Sequence, residues 1–473
     1  MGTPEDNPLI KFLLERGYLP YRPVKEQVPG RGRGLIAWQC DGIRFFGGES
    51  ITLIAYDEQG MSEAVGTLYE AATGMQPLTP MALPTDVRAS PSPRGISIVD
   101  ATRVREPSVD WQMNFPDWPV TMRALPDGKR MVVLSDDGTL RMVQSNGKIA
   151  WEKTISGGEA WSLDVSANGD LIAAGTCHRI IGVNAKGRQQ FDVPIVTPDE
   201  AGNAGAMGEY PPLINWVKVS PAGDRVLASA GINNWTNKWR REGRLRMVSA
   251  KGETIWTRGG SESDPAKPPV LPEPFKHGIF TADGGGAILL REKDAILIDA
   301  ATGKTEMTIP EINGGLEPLA MGKAGVIVSG ADRKLVSITM ASGDYVKQRA
   351  AWSTIDAPKA GVVSMAMLKG GLLLGTEADG AVRALGEVAE GFPFSKALWQ
   401  NSVYTKIVKA VKTDGTSHIA VNYWGGTVRI LSANGKLMGE RIFEQDITAM
   451  EWLGDRLIVG TADGRVYGVE GRR

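Results

Sequence analysis

From about residue 120 onward, short aliphatic and β-branched runs alternate with polar turn segments. RMVVL (130–134), TLRMV (139–143), RVLAS (225–229), AILLR (287–291), GVIVS (325–329), LLLGT (372–376) and RLIVG (456–460) are typical. Runs of this length and content, bounded by glycine and aspartate, predict strands. A glycine opens the first turn of each unit: Gly128, Gly169, Gly223, Gly284, Gly325, Gly371, Gly415 and Gly454. A second turn follows about ten residues later, as Asp137-Gly138, Asp332-Arg333, Asp379-Gly380, Gly425-Gly426 and Asp463-Gly464. Asp-Gly and Gly-Gly suit the left-handed backbone of a two-residue hairpin. The repeat is roughly 40–45 residues, with two wider units, which is the length of a four-stranded blade. The pattern predicts a mainly β chain, an eight-bladed β-propeller over 103–473, with seven as the alternative count.

A third phrase recurs. In GKIAWEKTI (147–155) and GETIWTRGG (252–260) a turn glycine precedes tryptophan by four residues. The same offset joins Gly187 to Phe191, Gly303 to Met307 and Pro107 to Trp111. The phrase predicts an outermost strand whose large side chain, Trp151 or Trp256, is buried against the next blade. The last unit, RVYGVEGRR, lacks an outer strand. PSVDWQMNF (107–115) is expected to supply it, which removes an exposed sheet edge.

Residues 1–85 have a different pattern, that of a small α/β segment. NPLIKFLLERG and MSEAVGTLYEAATG are predicted helices, GLIAWQCD and ITLIAY predicted strands. A proline-rich linker, 86–102, follows. GRGRG (30–34) precedes a strand rather than a helix, so it lacks the helix amino terminus of a phosphate cradle and is expected to be a turn.

SPAGDRVLASAG, SANGDLIAAG and LPDGKRMVVL resemble WD40-type blades, and the GKIAWEKTI and GETIWTRGG tails resemble strands of quinoprotein-like, PQQ-repeat propellers. The resemblance covers about 105–473 and implies the fold. It leaves function open, because this fold hosts scaffolds, dehydrogenases, lyases and lectins. A quinoprotein dehydrogenase would need an adjacent cysteine pair and a calcium site of Asn, Glu and Asp. This chain has two separated cysteines, Cys40 and Cys177, so pyrroloquinoline quinone is not an expected cofactor.

Composition narrows the partners. Lys plus Arg is 53 against 54 Asp plus Glu, which gives no electrostatic footprint for nucleic acid. No apolar run is long enough for a membrane span. Two cysteines exclude a disulfide framework and leave the compartment open. The three histidines, His178, His277 and His418, show no metal-ligand spacing, so no metal is expected.

Three insertions fall in loops expected to share one face around blades 2–4: 196–213, 231–243 and 259–277. They carry Trp235, Trp239, Asn233, Asn234, Arg240 and Tyr210, and Trp424 occupies the equivalent loop of blade 7. Aromatic rings beside amides and guanidinium groups suit a glycan or a protein surface, so the leading reading is a non-catalytic binding module for either partner. The alternative is a polysaccharide lyase or hydrolase using His277, Tyr210, Tyr423 and Arg241. An intracellular scaffold is the third reading.

Overall fold

The computed structural model describes residues 105–471, except 157–159, 196–212, 232–242, 259–274, 292, 313–315, 322–324, 330–333, 340–350, 357–361, 377–379, 388–393 and 403–407. It also describes the strands Tyr21–Gln27, Gly34–Cys40 and Thr52–Ala55. These three form one antiparallel sheet in chain order. The first was not anticipated, and GRGRG lies in the connection between the first two, where Gln27 pairs with Gly34. Both predicted N-terminal helices lie outside the described residues.

The remaining strands form eight four-stranded antiparallel sheets. Seven use four consecutive strands. In the eighth, Ile447–Leu453, Arg456–Thr461 and Arg465–Glu470 take their fourth strand from Val109–Asn114. Its pairing runs from Arg465 opposite Asn114 to Val469 opposite Val109.

Among the described residues an apolar cluster lies at each joint between sheets. Leu134 and Leu140 of the first sheet pack with Ile172 and Ile181 of the second. Ile288 and Leu297 of the fourth meet Val336 and Ile338 of the fifth. The last joint closes the ring, with Ile458 and Val466 of the eighth sheet against Met131 and Val133 of the first. The second strands, such as Leu171–Thr176 and Gly371–Thr376, are buried along their whole length. That burial on both faces explains why they read as continuous apolar runs.

The third phrase has a definite geometry. In the outer strands the register shifts just before the large residue, as between the pairs Val143–Ile149 and Met142–Trp151. A bulge there turns the ring toward the following sheet. Trp151 lies on the turn of the second sheet, where a Cβ on Gly187 would be 2.7 Å from the indole. Its Nε1–H donates to the Ala185 carbonyl at 3.0 Å. Trp111 does the same over Gly147, Trp256 over Gly303 and Trp399 over Gly435. Each of these four turn glycines therefore receives the ring of the preceding sheet. The seventh sheet has Gly439 at the ring position, and Pro107 and the Arg105 carbonyl fill the space.

Trp151 and Trp256 are half-buried, not buried as expected, because the outermost strand leaves one face of the indole toward solvent. Trp151→Ala should therefore cost about 2–3 kcal/mol, less than a fully buried tryptophan. Trp151→Phe, which keeps a ring but loses the N–H bond, should cost about 1 kcal/mol. Urea unfolding of the two variants checks both values.

Candidate functional site

The innermost strands surround a cavity of about 440 Å³ on the ring axis. Its charged lining comes from Arg123 and Lys218 of the first and third sheets, Glu317 before the fifth, Lys412 of the seventh and Glu451 of the eighth. Lys218 Nζ lies 2.6 Å from Glu317 Oε1, and an Arg123 guanidinium nitrogen lies 3.6 Å from the same oxygen. The first and fifth sheets stand opposite each other in the ring, so this cluster bridges the axis. Lys412 and Glu451 form a second pair at 3.6 Å.

The ammonium of Lys218, with Arg123 and Lys412, holds the Glu317 carboxyl well below the usual carboxylate range. Burial pushes the His277 imidazole down from its ordinary value, and Lys218 and Lys276 act in the same direction. Small side chains complete the inner wall. Ser162 Oγ and Asp164 Oδ2 of the second sheet accept the backbone N–H groups of Val217 and Val219 at 3.0 and 2.8 Å. Ser364 Oγ accepts that of Val411 at 2.9 Å. Each satisfies a strand edge that has no ladder partner on that side.

Of the residues singled out from the sequence, Tyr210, Asn233, Asn234, Trp235, Trp239, Arg240 and Arg241 lie outside the described residues. His277 opens the inner strand His277–Phe280 opposite Leu290, electrostatically coupled to Glu317 and Lys218. Tyr423 is fully buried in the joint between the sixth and seventh sheets, its hydroxyl 3.5 Å from the Gly380 carbonyl. It is a core residue and supplies no group to the axial cavity, which corrects its assignment beside His277. Trp424 is half-buried beneath Lys409, whose Nζ stands 4.1 Å from the ring centroid and pairs with buried Asp446. That cation–π contact gives Trp424 a partner within the protein.

His178 lies in the turn between two strands of the second sheet, where its carbonyl accepts the Ile195 N–H at 2.8 Å. His418 Nδ1 is 2.9 Å from Asp414 Oδ2, and its ring stands 5.9 Å from that of Trp452. Among the described residues no group of three or more His, Cys, Asp or Glu could hold a metal ion. No helix among them is long and apolar enough to cross a membrane.

Comparison with known proteins adds the family signal. A family model described as outer membrane protein assembly factor BamB matches residues 241–473, just under half of the chain. The fold is that of a β-propeller, and residues 241–473 match the PQQ-type repeat model. The crystal structure of BamB from Moraxella catarrhalis is similar at a TM-score of 0.51 and 17% identity, covering 77% of this chain and 99% of that one. A computationally designed protein, Ika8, is similar at 0.52 and 12% identity, covering 76% and 97%. No curated protein sequence matches the chain.

The axial charges of the propeller were missed from the sequence, although a signal existed. Arg123, Asp164 and Lys218 each stand five residues before the turn glycines Gly128, Gly169 and Gly223. A charge recurring at one position of an inner strand points to the axis. The ion pairs across the axis have a pH signature. Because the folded-state pKa of Glu317 lies below its unfolded value, its stabilisation is fully present above the ordinary carboxylate pKa, about 4.3. It is lost as pH falls below that value. Glu317→Gln should therefore be less stable than the parent at pH 7, and the gap should shrink steadily below pH 4. Denaturant midpoints of both proteins across this range check it; a gap independent of pH would contradict the ion-pair assignment.

Proposed function

We propose that the propeller is a non-catalytic docking platform for a protein partner, engaged through the face expected to carry the insertions 196–213, 231–243 and 259–277. The observation that carries this reading is the match of residues 241–473 to the outer membrane protein assembly factor model. Its description names an assembly role, and an outer membrane protein undergoing assembly is the corresponding partner class. Supporting it, the insertion 232–242 starts and ends at a paired position, Gly231 opposite Gly243, on a rigid sheet. A rigid scaffold presenting long loops is the usual arrangement for recognition. Trp235, Trp239, Tyr210, Asn233, Asn234 and Arg240 supply the aromatic and guanidinium side chains that anchor protein interfaces.

The test uses the full chain and a denatured β-barrel outer membrane protein diluted rapidly into buffer, with binding followed by interferometry. Saturable binding is expected, weakened about tenfold or more when Trp235 and Trp239 are both replaced by Ala. A glycan array run in parallel should be silent. Glycan binding with no protein binding, or protein binding unchanged in the double variant, would overturn the proposal.

A further inference from the structure

The axial cavity has two unlike walls. One is cationic and acidic, built from Arg123, Lys218, Glu317, Lys412 and Glu451. The other is apolar. Leu316 just before the fifth sheet, Leu319 within it, and Val363 and Met367 of the sixth all line the cavity and are only half-buried. Apolar side chains left facing a solvent-connected cavity keep a hydrophobic cost that an apolar guest would remove. The volume, about 440 Å³, lies in the range of small-molecule sites.

The charges say what the guest's other end must be. Glu317 is neutralised by Lys218 at 2.6 Å and Arg123 at 3.6 Å. Glu451 has Lys412 at the longer distance of 3.6 Å, so that ammonium is held loosely. Among the residues that line the cavity, three cations against two carboxylates leave one positive charge in excess. Asp164, which also acts on Arg123, does not line it and is held by the Val219 N–H at 2.8 Å. A dianion would exceed that surplus, and a cation would meet it with repulsion. We propose that the cavity is a binding site for a monoanionic amphiphile of the fatty-acid class. Its carboxylate pairs with Lys412, and its chain lies on Leu316, Leu319, Val363 and Met367.

Dodecanoate, titrated calorimetrically into the full chain below its micellar concentration, is the probe. One saturable site is expected. Lys412→Gln should weaken it about tenfold, the loss of one charge-assisted hydrogen bond. Glu451→Gln should tighten it by releasing Lys412, a direction that mere destabilisation of the fold would not give. 1-Dodecanol, with the same chain and no charge, should bind more weakly than dodecanoate. Circular dichroism and thermal midpoints confirm folding, and Glu451→Gln carries the test if Lys412→Gln does not fold. No saturable binding, affinity unchanged in the folded variants, or dodecanol binding as tightly as dodecanoate would each overturn the proposal.

Discussion

Removing residues 105–115 should leave a protein that aggregates and shows no cooperative unfolding. Four interactions disappear together. The strand Val109–Asn114 leaves the Arg465–Glu470 edge without its ladder. The Trp111 ring leaves the Gly147 turn, and its Nε1–H bond to the Ser145 carbonyl at 3.0 Å is lost. Pro107 uncovers Gly439, and Arg441 loses the Pro107 carbonyl it binds at 2.7 Å. Phe115 leaves the cluster that joins the eighth sheet to the first. The exposed Arg465–Glu470 edge would be open to pairing between molecules. Size-exclusion chromatography and thermal unfolding check the outcome. A monomeric variant that melts cooperatively would show that this strand is dispensable for closure.

The second large effect is expected at a single glycine. Gly464 has φ +82°, and a Cβ there would lie 2.5 Å from the Phe115 carbonyl oxygen. The turn and the segment after the closing strand are already joined by the Phe115 N–H, which donates to the Gly464 carbonyl at 2.8 Å. Alanine must therefore adopt a left-handed backbone and also displace a backbone carbonyl, which cannot rotate away as a side chain would. Gly464→Ala should cost about 3–4 kcal/mol. Gly128 is the matched control, with φ +63° and nothing within 4 Å of a Cβ. Gly128→Ala should cost only the left-handed strain, about 1–2 kcal/mol. Equal losses in chemical denaturation would mean that the carbonyl contact contributes nothing.

The repeat was legible because its markers are local. Gly128, Gly169, Gly223, Gly284, Gly415 and Gly454 all have positive φ, the conformation that makes glycine recur at such turns. Gly325 and Gly371 were assigned to the same role, yet each begins a strand, and in the sixth sheet Gly370 takes the left-handed position. Adjacent glycines do not reveal which of them carries the turn. The relay of tryptophans was half legible. The four-residue offset marked the joint, whereas the remaining exposure of the ring follows from outer-strand geometry. The axis was hardly legible at all. Arg123 and Glu317 meet from opposite sheets, and no local pattern pairs residues so far apart in sequence. Tyr423 misled because a tyrosine beside a turn reads as a surface aromatic, while its place in the second strand faces the preceding sheet.

The aromatic relay runs one way: every docked ring reaches forward to the following sheet. In symmetry terms each joint is heterologous, a head-to-tail contact between two different surfaces. Such contacts generate either an open spiral or a closed circle, depending on the rotation each one imposes. Here a single polypeptide fixes the number of units at eight sheets, so the rotations must add up to one full turn. A joint that over-rotates must be offset by the other seven. At the joint after the seventh sheet Pro107 packs on Gly439 in place of a ring, so the angle there is set by the segment that also supplies the closing strand.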